Sequence, residues 1–453
     1  MNTASASPTL DPSGKLKGRE RVAYGLGDFG SNMAWNMVSN FLLFFYTDVF
    51  GISAAVVGTL FLIERIWDGI NDPIVGWLAD RTRSKFGSYR PYLLIFSIPF
   101  AISLALMFTT PNISMTGKII WAYVTYFALE GLYSFVNVPY FALLASITHN
   151  LQERANLSSA RFIGSMAATL IVSGAAPGII AAFPNPQVGY QVVAGIFAVI
   201  AVIAFMLCFA GTKERTQAGE EEKVTIKGAW SALKINRPLV IVLIALLFMF
   251  TGFTIRNTSI LHYFKYVLEQ EALAGIYFAA MALSGIIGAS LAPSIIKKLD
   301  KRLTAAIGFG IFTLSGVFWF FAGDILPVTI ISAIVGGFGM MMTAVTLIAM
   351  IADTVEYADW KTGVRAAGTV NAFSVMVTKI ATAIGGALVG YILAFAHYAP
   401  DIVQPEAVLN GIRAMVSYIP SIGGLVGFVV IMFYTLDRNQ FEKIWEELQA
   451  RGK

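Results

Sequence analysis

The sequence predicts an all-α membrane protein of twelve transmembrane helices in two six-helix halves, with both termini cytoplasmic. Three observations carry that prediction. Hydrophobic residues make up 57% of the 453 and charged residues only 13%, with a mean hydropathy of +0.69, which is not a soluble globular composition. Long apolar runs recur with short breaks, each able to cross about 30 Å of hydrocarbon at roughly 1.5 Å per residue. Basic residues fall almost entirely on one side of the alternating loops.

In order, a polar N-terminal tail (1–21) has no apolar core, so no cleavable signal peptide is expected. Six spans follow within 22–211, at about 22–48, 53–79, 91–110, 118–147, 157–182 and 188–211. The longest polar break (212–237) contains K-E-R-T-Q-A-G-E-E-E-K and reads as a solvated cytoplasmic linker. Six more spans occupy 238–436, at about 238–264, 272–296, 303–323, 327–355, 367–396 and 410–436, before a short tail (437–453). Six plus six is how many secondary transporters are built, with the substrate held between the halves.

Of the 32 Lys and Arg residues, only Lys118, Lys265 and Arg413 fall in external segments, and Arg65, Arg256 and Lys379 fall inside spans. The rest sit in cytoplasmic segments, which accounts for the net charge of +5 without a nucleic-acid partner. A single cysteine, Cys208, rules out an internal disulfide, and His149, His262 and His397 have no metal-ligand spacing. No nucleophile–base pair stands out, so an enzyme is not expected.

The second span carries the sharpest signal, E64-R-I-W-D-G-I-N-D-P73. On a helix, Glu64, Arg65, Asn71 and Asp72 all lie within about 60° of Asp68. Ionisable groups on one face of a membrane helix cannot point at lipid, so this face turns to a polar interior. Pro73 removes the helical partner of the Gly69 carbonyl. Carboxylates one turn apart repel each other when buried, so the site is expected to take up a proton or small cation. In the fourth span, Glu130, Ser134, Asn137 and Phe141 form one stripe with Tyr133 beside it. Amide, hydroxyl and aromatic groups together suit a sugar, whose hydroxyls need hydrogen bonds and whose C–H face needs a ring. Arg256 reads as a gate, a partner for Glu130 or a snorkelling side chain.

G25-L-G-D-F-G30 matches the dinucleotide fingerprint, but it opens a span and follows no strand. It reads instead as helix-packing glycines, as does G386-A-L-V-G390.

G76-W-L-A-D80-R-T-R83, between spans two and three, resembles the loop motif of the major facilitator superfamily. W67-D-G-I-N-D-P73, with Y24-G-L-G-D28, F45-Y-T-D48 and D353-T-V-E-Y-A-D-W-K-T-G-V-R365, is similar to the glycoside-pentoside-hexuronide:cation symporters, the melibiose-permease-like branch. The resemblance runs over nearly the whole chain. It implies the major facilitator fold, alternating access, and uptake of a sugar or glycoside with Na⁺, Li⁺ or H⁺ across a bacterial inner membrane.

Carried over residue by residue, the resemblance implies a cation site at Asp68, Asn71, Asp72 and Ser134. Substrate residues are then Asp28, Asn32, Tyr133, Asn137, Phe141, Arg161 (opening span five) and Lys379, the last also placed to neutralise Asp68 and Asp72. Gate or latch charges are Asp80, Arg81 and Arg83, then Asp353, Glu356 and Arg365 at the end of span ten, where Asp359 also lies. Asn32 and Asn137 stand where melibiose-type members have carboxylates, and Phe141 where an aromatic anchor is commonly Trp. That less acidic pocket points away from galactosides, toward other glycosides, pentosides or hexuronides. No cofactor is expected beyond the coupling ion, and the partners are the sugar, the cation and the bilayer. The competing expectations keep the fold with an amphiphile or lysolipid cargo, or make the protein a non-transporting sensor.

Overall fold

The computed structural model describes residues 15–148, 150–215, 236–363 and 367–450. Its described residues are helical almost throughout. α1 (Gly18–Phe44) continues through a π-helical turn (Phe45–Val49), and α2 (Ala54–Arg81), α3 (Arg90–Met107), α4 (Met115–Ile147), α5 (Leu151–Ala181) and α6 (Pro186–Gly211) follow. The linker expected at 212–237 lies largely outside the described residues, and past it come α7 (Arg237–Tyr266), α8 (Ala274–Leu299), α9 (Lys301–Ala322), α10 (Leu326–Thr362), α11 (Ala367–Phe395), α12 (Glu406–Val416), α13 (Tyr418–Met432) and α14 (Arg438–Ala450).

Polar residues in the breaks start the helices. Ser53, Ser114, Asn236 and Asp300 each accept a backbone N–H of the first turn of α2, α4, α7 and α9. Asn150 does the same for α5, which therefore begins at Leu151, earlier than the apolar run does, and places Arg161 well inside the helix rather than at its opening. α10 likewise outruns its apolar run, carrying Asp353 to Thr362 as helix until Gly363 ends it at φ 72°. The last span is two pieces, α12 and α13, broken at Ser417.

Ten stretches among the described residues are long and apolar enough to cross a membrane. α1 and α2 are equally long, but Asn32, Asn36 and Asn40 on one, and Glu64, Arg65, Asp68 and Asp72 on the other, lower their apolarity. The chain is an integral, multi-pass membrane protein.

Packing repeats six helices on. α1 packs on α5 and α6, α3 on α4 and α6, and α2 on α4; α7 packs on α11 and α13, α9 on α10 and α13, and α8 on α10. Between these groups, α2 meets α11, α5 meets α8 and α1 meets α7. Glycines permit the close approaches. A methyl at Gly25 would come 2.6 Å from the Ala160 carbonyl oxygen on α5, and one at Gly390 would come 2.5 Å from that of Ala54 on α2. G25-L-G-D-F-G30 is thus a helix-packing surface inside α1.

The cross-group polar links lie between the α1–α2 turn, called the outer end here, and mid-depth. At the outer end Asp48 receives Lys265 Nζ at 3.0 Å and the Tyr266 hydroxyl at 2.5 Å, with His262 Nε2 3.3 Å away. Thr59 and Tyr391 join α2 to α11 through their hydroxyls. Deeper, Asn257 donates to Asn40 and Lys379 reaches Asp68 and Asp72. Toward the opposite end, ion pairs within a group join Arg21 with Glu153, Glu20 with Arg215, and Lys301 with Asp353 at 2.6 Å.

Candidate functional site

α2 turns one face inward. Glu64, Asp68 and Asn71 are buried, while Ile66, Ile70, Ile74 and Trp77 on the other side are exposed, as a lipid-facing surface requires. The inward side chains meet partners from three helices. Arg65 Nη1 donates to Asp68 Oδ2 at 2.9 Å, and Arg65 Nε lies 3.2 Å from Glu64 Oε2 without the alignment for a hydrogen bond. From α4, the Ser134 hydroxyl donates to Asp72 Oδ1 at 2.6 Å, and Gly131 lends its carbonyl to the Asn71 amide at 3.4 Å. From α11, Lys379 Nζ reaches Asp72 Oδ2 at 2.5 Å and Asp68 Oδ2 at 3.2 Å.

Asp68, Asn71, Asp72 and Ser134, drawn from sequence, are thus gathered in one place. Their oxygens are hard donors of the kind an alkali cation takes. Lys379 sits on the same carboxylates and ties α11 to α2 through them. Glu130, which the sequence left without a role, comes together with Glu64 and Asp68, and all three are buried. The carboxylates of Glu64, Asp68, Asp72 and Glu130 outnumber the cations Arg65 and Lys379, so the cluster attracts a further positive charge.

A second set lies along α1, α4 and α5. Arg161 Nε is 3.7 Å from Asp28 Oδ2, and its guanidinium stacks 4.5 Å above the half-exposed Phe141 ring. Asn137 is buried and accepts the Ser31 hydroxyl at 2.9 Å. Tyr133 leans on Trp35 with ring centroids 6.1 Å apart, and Trp35 in turn lies under Arg65 at 5.4 Å. Trp35 therefore connects the charged cluster with the space beside it.

That space is a cavity of about 370 Å³ between α1, α2 and α5 on one side and α7, α8, α10 and α11 on the other. Asn32 lines it; Asp28, Asn137, Phe141, Arg161 and Lys379 stand outside its wall. The wall adds residues that the sequence reading passed over: Asn36, Asn40, Thr169, Ser173 and, across the gap, Asn257. Their signal was present on α1, where Asn32, Asn36 and Asn40 follow the helical spacing i, i+4, i+8. Asn257 has no such signal.

Asp80, Arg81, Arg83 and Asp353 make contacts within their own group of helices. Asp80 accepts the Tyr89 hydroxyl at 3.0 Å, and burial together with that bond pushes the Tyr89 phenol up to about 12. Arg83 donates to the Asp80 carbonyl at 2.8 Å, while Arg81 stacks on Trp77 at 3.8 Å. Glu214, missed in sequence, accepts the backbone N–H groups of Ser88, Tyr89 and Arg90 at 2.8, 2.8 and 2.9 Å and holds the start of α3. Asp353 pairs with Lys301, Glu356 and Asp359 lie on the α10 extension, and Arg365 lies outside the described residues. Arg256 is neither a partner of Glu130 nor a snorkelling side chain: it is fully buried and donates to Ser315 on α9 at 2.9 Å.

Comparisons with known proteins agree with one another. A family model described as MFS/sugar transport protein matches residues 23–438. The chain is 37% identical to the isoprimeverose transporter of Lactiplantibacillus pentosus, covering 96% of this chain and 94% of that one. It is 32% identical to a glucuronide carrier protein homolog of Escherichia coli K12, covering 97% of each. Among solved structures, a bacterial homolog of the human lysosomal transporter Spinster, inward-facing and unoccupied, superposes with a TM-score of 0.69 at 14% identity, over 94% of this chain and 97% of that one.

Proposed function

The chain belongs to the MFS/sugar transport protein family, and from that premise we propose that Asp68, Asn71, Asp72 and Ser134 bind the coupling cation of a glycoside symporter. The protein is a secondary active transporter of a sugar or glycoside, not an enzyme. It works from a bacterial inner membrane as twelve spans in two bundles (22–211 and 238–436), with both termini cytoplasmic. The repeated helix pairings and the one-sided basic loops support that division.

One observation carries the reading: Lys379 on α11 shares the Asp68 and Asp72 carboxylates of α2. A small cation and the Lys379 ammonium compete for the same oxygens. Cation binding therefore frees Lys379 and removes the deepest polar link between the two bundles. Cation release lets Lys379 return, which neutralises the carboxylates when no ion is bound. The cross-bundle links from the outer end to mid-depth match a shape closed outside and open to the cytoplasm. Glycoside binding beside Trp35 then couples to the ion through Arg65, which touches both the ring and Asp68. In this state Asp80 holds Tyr89 and Asp353 holds Lys301, and closure of the inner side exchanges these partners for ones on the other bundle.

The ion is Na⁺ or Li⁺ rather than H⁺. A proton needs one carboxylate, whereas Asn71 and Ser134 add side-chain oxygens to those of Asp68 and Asp72, as a cation's coordination requires. Glycoside affinity measured at fixed pH across a Na⁺ titration tests this, in wild type and Asn71→Ala. Wild-type affinity should rise with Na⁺, and the variant should need about tenfold more Na⁺, the equivalent of ~1.4 kcal/mol. Affinity that ignores Na⁺ and follows pH would make the protein a proton symporter.

A further inference from the structure

We propose that the cavity selects uncharged glycosides over acidic sugars, with Asn36, Asn40 and Asn257 among the groups that hold the sugar hydroxyls. This rests on the reading of the chain as a glycoside symporter and narrows it.

Arg65 stands in the cavity wall and Arg161 and Lys379 outside it, and each of the three is already engaged. Arg65 holds Asp68 at 2.9 Å and lies beside Glu64. Arg161 faces Asp28 at 3.7 Å. Lys379 holds Asp72 and Asp68. Arg65 is the one charged side chain in the cavity wall. The carboxyl groups of Asp28, Asp68 and Asp72 already face these cations, and Glu64 and Glu130 lie beside Asp68. A sugar carboxylate would enter with these cations already taken, and burying such a group unpaired costs several kcal/mol.

The wall offers amides and hydroxyls instead. Asn36 Nδ2 donates to Thr169 Oγ1 at 3.2 Å, and Asn40 Nδ2 donates to Ser173 Oγ at 2.7 Å, which aligns two amides of α1 with two hydroxyls of α5. Asn257 reaches across from α7 and donates to Asn40 Oδ1. Its own carbonyl oxygen, Oδ1, is buried and has no hydrogen-bond partner, although Asn257 is only 8% exposed. A buried acceptor left unmade is costly, and a sugar hydroxyl is the donor that this cavity is built to admit. Trp35 and Phe61 supply aromatic wall for the C–H face. Because Asn40 and Asn257 belong to different bundles, a sugar bridging them is held only while the two approach each other.

Binding to purified full-length protein in detergent, at saturating Na⁺, tests the inference with matched probes. Methyl β-glucoside and methyl β-xyloside are compared with methyl β-glucuronide, and methyl β-galactoside with methyl β-galacturonide. At least one neutral member should bind tenfold or more tightly than its acidic counterpart. Asn257→Ala should weaken that neutral probe roughly three- to tenfold, the worth of one neutral hydrogen bond, while thermal stabilisation by Na⁺ is kept. Asn36→Ala serves as the second variant if the first does not fold. Acidic probes binding as tightly as the neutral ones in both series would overturn the inference and leave the symporter reading standing. So would full neutral-sugar affinity in the folded variants. Binding of no probe at all would remove the glycoside reading and this inference with it.

Discussion

The charged cluster on α2 and the amide-lined cavity beside it stand side by side yet follow opposite rules. In the cluster ions dominate: carboxylates of Asp68 and Asp72 meet Arg65 and Lys379 at 2.5 to 3.2 Å. In the cavity neutral groups meet neutral groups, Asn36 with Thr169 and Asn40 with Ser173 and Asn257. A cation in a low-dielectric interior needs full charges to offset its desolvation, so its site must be ionic. A sugar needs many directional bonds of modest strength that can be made and released each cycle. Coupling requires the two kinds of site to touch without merging, and Arg65 over Trp35 is where they touch.

The largest expected effect comes from breaking the ionic side. Asp68→Asn removes the carboxylate that Arg65 and Lys379 share, at a cost of about 3–5 kcal/mol for a broken buried pair. Na⁺-driven accumulation of glycoside in proteoliposomes should fall to the level of empty vesicles, while sugar exchange down its own gradient persists. Accumulation at the wild-type level would place the coupling site elsewhere.

An intermediate effect is expected from the outer end, which serves neither site. Asp48 gathers Lys265, Tyr266 and His262 from α7 around one carboxylate. Asp48→Asn should shift the population toward an outward-open shape by roughly tenfold, since charged hydrogen bonds are worth about 1.5–3 kcal/mol each. Spin labels at Ile113→Cys and Val403→Cys, in a Cys208→Ser background, report this as a longer outer distance. An unchanged distance distribution would show that the Asp48 cluster does not lock that end.

The smallest effect belongs to residues that only build helices. Ser53→Ala deletes the cap of α2 and should lower thermal stability by about 1 kcal/mol or less. Neither cation nor sugar affinity should move, because the cap lies several turns from Asp68. A changed Na⁺ affinity in this variant would mean that the cluster depends on the whole length of α2.

The ionic side was readable from sequence and the neutral side largely was not, for a physical reason. Glu64, Arg65, Asp68, Asn71 and Asp72 share one helix, so helical spacing alone places them together in an apolar run. The spans were readable too, because hydrocarbon thickness fixes the length of an apolar run. Helix ends were less so: Asn150 and Gly363 move the limits of α5 and α10 beyond the apolar residues. The break at Ser417 has a trace in Pro420, which sits in the first turn of α13. Contacts between the bundles leave no such trace. Asn40 with Asn257 and Asp48 with Lys265 join residues more than two hundred positions apart, and no local period encodes them. Glu214 is similar, since its role depends on where the start of α3 comes to rest.

If cation and sugar occupy adjacent but chemically distinct sites, calorimetry of both ligands on two variants separates them. Asp72→Asn should lose measurable Na⁺ binding and keep glycoside affinity near that of Na⁺-free wild type. Asn36→Ala should keep Na⁺ affinity within about twofold and lose glycoside affinity roughly three- to tenfold, one neutral hydrogen bond's worth. If each variant instead weakened both ligands to the same degree, the two sites would be one, and the division between ionic cluster and neutral cavity would be wrong.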